Sequence, residues 1–73
     1  MALGYISRLV PDRGFGFLVE DGQSEEIEFH WTAVQSGDLE QLREGQRVEF
    51  ERRPDHRSEG RFRAVNVRVT GTQ

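Results

Sequence analysis

The chain has no cysteine and no lysine, only two prolines and one tryptophan, and no long hydrophobic run. Without cysteine there is no disulfide scaffold and no thiolate metal site, and His30 and His56 lie too far apart to form a local ligand pair. No metal and no cofactor are therefore expected. Nothing approaches the roughly 18 apolar residues that a membrane helix needs, and Met1-Ala2-Leu3-Gly4 lacks the basic and then apolar profile of a signal peptide. The expectation is a soluble cytoplasmic protein without a membrane partner, and a monomer. Positive charge is also short, with 10 arginines against 13 acids and a net charge of -3, which argues against a protein that holds nucleic acid mainly by neutralising phosphates. The acidic run Glu20, Asp21, Glu25, Glu26 and Glu28 lacks the ordered spacing of a calcium loop, and the pair Glu26 and Glu28 has no accompanying nucleophile. Neither an enzyme nor a small-molecule substrate is expected.

What remains fits one small domain of 73 residues, its core spanning about 4–69. The charge is lopsided. Residues 1–42 carry Arg8 and Arg13 against eight acids, net -6, whereas residues 43–73 carry eight arginines against five acids, net +3. Each base is an arginine, able to stack on a flat ring or grip a phosphate with two N–H groups.

The dominant period is two. Tyr5-Ile6-Ser7-Arg8-Leu9 reads as a first strand ended by the turn Val10-Pro11-Asp12-Arg13. Gly14 to Val19 reads as a second, with Phe15 and Phe17 on one face and Gly16 and Leu18 on the other. A hairpin turn centred on Asp21-Gly22 leads to a third strand, Glu26 to Trp31, with Ile27 and Phe29 on one face and Glu28 and His30 on the opposite one. From Thr32 to Gln46 the period is lost. Leu39 and Leu42 after a possible cap at Asp38 suggest one helical turn anchoring a long loop. Strands four (Arg47–Arg53) and five (Arg61–Val69) flank the polar loop Pro54–Gly60, with Val48, Phe50, Val65, Val67 and Val69 directed inward. Five strands, no substantial helix and glycines at the bends predict an all-β fold, a five-stranded antiparallel OB-type barrel that hides its sheet edges by closure.

The core positions Ile6, Leu18, Ile27, Phe29, Val48, Phe50, Val65 and Val67 leave Phe15 and Phe17 outside. Two rings side by side beside Arg13 form a stacking platform for bases, and Gly14 and Gly16 let a ligand approach the backbone. His30 and Trp31 fall beside them. Ordinary surface and core roles are the alternative for these residues, and the arginines at 52, 53, 57, 61 and 63 read either as a solvated loop or as phosphate contacts.

Arg13-Gly14-Phe15-Gly16-Phe17-Leu18-Val19 resembles the first ribonucleoprotein motif, found in RRM domains and in bacterial cold-shock domains. The two helices of an RRM do not fit in this length. Ile27-Glu28-Phe29-His30-Trp31 with Thr32-Ala33-Val34 is similar to the second cold-shock motif. Leu42-Arg43-Glu44-Gly45-Gln46-Arg47-Val48-Glu49-Phe50 resembles the family's L-x-E-G-Q-x-V-x-F passage, and Ala64-Val65-Asn66-Val67 its closing A-A-N-V. The resemblance implies binding of single-stranded RNA or DNA with low sequence preference, as an RNA chaperone or a regulator of gene expression. The positions it points to are Arg8, Arg13, Phe15, Phe17, His30, Trp31 and Arg63. It also marks departures: Arg8, Glu28 and Leu39 stand where the family has aromatics, and Val10 where it has asparagine. The other reading is a diverged barrel that serves as a protein-interaction module, with the acidic half or the arginine-rich half as its contact.

Overall fold

The computed structural model describes residues 1–35, 42–57 and 60–70. Five strands, β1 (Ala2–Val10), β2 (Phe15–Glu20), β3 (Glu26–His30), β4 (Arg47–Pro54) and β5 (Phe62–Val69), close into a barrel in the order β1-β2-β3-β5-β4. The expected all-β five-stranded barrel is observed. Directions cannot alternate all the way round a closed ring of five strands, so one pair must be parallel. It is β3 with β5; the other neighbours pair antiparallel.

Alternation builds the core. Ile6, Leu18, Ile27, Phe29, Val48, Phe50, Ala64 and Val67 pack together with Val34 and Leu42, all buried. Gly16 faces the same interior, where a Cβ would come within 2.8 Å of the Phe29 ring, so only glycine lets β2 lie this close. Leu42 confirms half of the expected loop anchor. The helical turn expected around Asp38 and Leu39 lies outside the described residues.

Two bulges set which residues face outward. Between Ile6 and Arg8 the β1–β2 register shifts by one, with Ser7 as the extra residue, so Ile6 points inward while Arg8 stands outside opposite Phe17. In β5 the shift falls between the pairs Glu51↔Val65 and Glu49↔Arg68, and Asn66 adopts φ 53°, the left-handed region that asparagine tolerates better than β-branched residues. Simple alternation therefore fails here. Ala64 and Val67, three apart, both face the core, whereas Val65, opposite Glu51, is only half-buried, correcting its expected inward placement; Val69 shares the inward face of its partner Val48 but, at the end of the strand, is 39% exposed.

The ends of the strands also differ slightly from expectation. β1 runs through Val10, and a single 3₁₀ turn, Pro11–Arg13, follows it, closed by Gly14 at φ 79°. β3 stops at His30. A second 3₁₀ turn, Trp31–Ala33, begins there, where the His30 Nδ1 accepts a hydrogen bond from the Thr32 backbone N–H at 3.3 Å.

Candidate nucleic-acid interface

The outer face of β1, β2 and β3 is a grid fixed by pairing. Phe15 lies opposite Val10 on one side and His30 on the other. One row further, Arg8, Phe17, Glu28 and Arg63 are successive register partners across β1, β2, β3 and β5. The Phe15 and Phe17 rings meet edge to face with centroids 5.6 Å apart. His30 and Trp31 rings lie 5.9 Å apart, and Trp31 is 45% exposed with its indole beside Gly14. A Cβ on Gly14 would meet that indole at 3.1 Å. Phe15 with Phe17 and His30 with Trp31 thus make two aromatic pairs, set side by side by the pairing of Phe15 with His30. Arg13 flanks it from the 3₁₀ turn, exposed, and Arg63 closes the second row on β5, also exposed.

Arg8 is not a free cation at the rim. Its guanidinium sits 4.4 Å from the Phe17 ring centroid and holds Glu26 through two hydrogen bonds of 3.0 and 3.2 Å. Ser7, displaced by the bulge, donates a third hydrogen bond to Glu26 at 2.9 Å. The Arg8 contact, followed by Ser7, holds the Glu26 carboxyl below the usual carboxylate range. A flat cation therefore covers Phe17, and its planar group is itself a surface on which a base can stack.

Glu28 sits between Phe17 and Arg63 in the row, and its carboxylate approaches Arg57 at 3.5 Å. Arg57 is held mainly by Asp55, at 3.2 Å, and this contact lowers the Asp55 pKa and raises that of Arg57. The β4–β5 loop thus already partly neutralises the negative charge on the platform.

Phe62 was not among the expected site residues. It is 45% exposed, and Arg52 lies over its ring at 4.5 Å, with Arg52 also bonded to Glu20 at 3.0 Å. The signal available in the sequence was an aromatic between Arg61 and Arg63 directly after a polar loop. No cluster of three or more potential metal-ligating side chains occurs among the described residues, nor is any helix there long and apolar enough to cross a membrane.

A small closed barrel with glycines beneath an aromatic outer face and flanking arginines defines a module of the OB type. The model of the 'Cold-shock' DNA-binding domain matches residues 2–70, and the chain belongs to the cold-shock domain family. It is 40% identical over 47 residues to Cold shock-like protein CspG of Escherichia coli (strain K12), covering 64% of this chain and 67% of that one. It is 46% identical over 39 residues to the Major cold shock protein of Yersinia enterocolitica, covering 53% of this chain and 85% of that one. Among solved structures, drosophila Unr CSD456 superposes with TM-score 0.73 at 27% identity, over 96% of this chain but 26% of that longer one. The function class follows from the family: cold-shock-type binding of single-stranded nucleic acid, favoured over the interaction-module reading.

Proposed function

We propose that single-stranded RNA or DNA lies across the outer face of β1–β3, its bases stacking on Phe15, His30, Trp31 and the Arg8 guanidinium that Phe17 backs, and its phosphates meeting Arg13 and Arg63. The observation that carries this reading is that four aromatic side chains share one face although the core is already filled by other residues. Stacking accepts any base, so sequence preference on this platform is low. Arg8 supplies a guanidinium plane where the family has a ring, stacking with a base while Glu26 keeps it in place. The protein acts as a monomeric, cytoplasmic, non-enzymatic binder that keeps RNA unpaired or regulates expression through such contacts.

The test is a titration of a short oligopyrimidine followed by residue-resolved NMR and by Trp31 fluorescence. Shifts should concentrate at residues 8, 13–17, 28–31 and 63, and the sole tryptophan should respond at the same midpoint. Saturable binding that moves other residues and leaves Trp31 silent would place the interface elsewhere.

A further inference from the structure

Barrel closure is weakest between β3 and β5. Their parallel pairing consists of Glu28↔Arg63, and the next contact along the seam is the bridge Val34↔Val67, reinforced by the Gln35 N–H donating to the Val67 carbonyl at 2.8 Å. On the other side of the Glu28↔Arg63 pair the strands diverge and leave a cleft of about 370 Å³ between the β2–β3 and β4–β5 hairpins. Phe17 and Phe62 both line it, and Glu25, Glu26, Glu28 and Asp55 supply carboxylates. Its size is near the lower end of the ~300–1,000 Å³ typical of ligand pockets and is sufficient for a purine base.

Phe62 owes its exposure to the same geometry. The inward row of the β4–β5 hairpin, Phe50 with Ala64, continues into Arg52 opposite Ala64 and Phe62 opposite Pro54. Past the closed part of the barrel this row has no core to enter. Arg52, held by Glu20, lies over the ring and fixes it at the cleft.

We propose that this cleft is an additional base subsite that selects guanine, with Phe62 as its stacking ring and the Glu28 carboxylate as the group that reads the base edge. The proposal rests on the nucleic-acid reading above, since Phe17 belongs both to the platform and to the cleft and a strand crossing the platform can place its next base there. A carboxylate only accepts hydrogen bonds. Guanine alone among the bases presents two adjacent donors, N1–H and the N2 amino group, on its pairing edge, so the two oxygens of Glu28 match it in bidentate fashion. Uracil and thymine present one ring donor flanked by acceptors that a carboxylate repels. Glu28 can turn to this task because its contact to Arg57 is long, at 3.5 Å, whereas Glu26 is held by both Arg8 and Ser7. Arg61 at the cleft carries positive charge for the attached phosphate, which offsets part of the repulsion from the acids.

The experiment compares hexauridylate with six hexamers that each carry a single guanine, measured by anisotropy at fixed salt, and repeats the favoured position with inosine, which lacks the N2 amino group. One guanine position should tighten binding roughly tenfold, and inosine should lose most of that gain. The ratio of the two affinities is the readout. It should collapse towards one in Phe62→Ala and in Glu28→Gln, each checked for folding by circular dichroism. A wild-type ratio of one at every position overturns the subsite, as does an undiminished ratio in both folded variants. If the wild type binds none of the hexamers, the platform reading fails with it. An arginine-rich peptide that shifts the NMR signals of residues 25–28 and 62, with no guanine effect, would reassign the cleft to a protein partner and overturn the proposal.

Discussion

At the residue scale the platform consists of rings that add little to the core. Phe15 and Phe17 are half-buried and absent from the buried cluster, so truncation removes stacking surface, for Phe17 the ring that backs Arg8, rather than internal packing. Phe15→Ala and Phe17→Ala should each weaken oligonucleotide binding by about 1–3 kcal/mol while leaving a cooperatively folded domain. Calorimetric titration together with thermal melting checks both halves, and loss of folding in both variants would return the pair to the core. Glu28 poses the opposite case. Its charge is partly offset by Arg57 and Arg63, so most of the gain in Glu28→Phe comes from the added ring. Binding of hexauridylate should rise on the order of tenfold, from about 1–3 kcal/mol of new stacking. The same substitution should abolish any guanine preference, because the acceptor pair is gone. A folded Glu28→Phe protein that binds hexauridylate no better than the wild type would move the strand off this row.

At the scale of elements, β2 and β3 were legible because uninterrupted alternation decides their faces, and the motif residues lie on those two strands. β1 and β5 were legible only in part. A bulge inserts a residue relative to the pairing partner, and a single strand read alone carries no record of its partner. That is why alternation along β5 puts Val65 inside and leaves Ala64 out. It also explains why Arg8 lands opposite Phe17: uninterrupted alternation from Ile6 would have turned it inward. Phe62 escaped for a related reason, since nothing in its own strand shows that the hairpin runs beyond the closed barrel. Asn66 holds the β5 bulge, with φ 53° and its Nδ2 donating to Glu51 Oε1 at 2.6 Å. Asn66→Val should therefore destabilise the fold by about 1–2 kcal/mol, because a side chain branched at Cβ resists the left-handed conformation. Asn66→Gly keeps the conformation and loses the bond, so it should cost less. Urea unfolding of the two variants gives the order, and equal stabilities would mean that the bulge does not depend on this conformation.

For the whole molecule, the question is how a chain of net charge -3 holds a polyanion. Most of its arginines are already engaged: Arg8, Arg47, Arg52, Arg53, Arg57 and Arg68 each hold a carboxylate. These pairs are exposed and add little to stability individually. Their effect is on binding, because a guanidinium already matched to a carboxylate gains less from a phosphate. Arg13 and Arg63 flank the aromatic face without an ion-pair partner among the described residues, and Arg8 can join them only by leaving Glu26. Two or three phosphate contacts at about -0.7 each give a slope of log K against log salt on the order of -1 to -2. Affinity should therefore fall about 4- to 16-fold between 50 and 200 mM salt, stacking being insensitive to it. Glu26→Gln weakens the hold on Arg8 and should steepen the slope by up to about one contact, -0.7. Dissociation constants of the wild type and this variant at four salt concentrations provide the measurement. A wild-type slope of about -4 or steeper would mean that the paired arginines exchange their carboxylates for phosphates on binding, and that charge rather than stacking holds the strand.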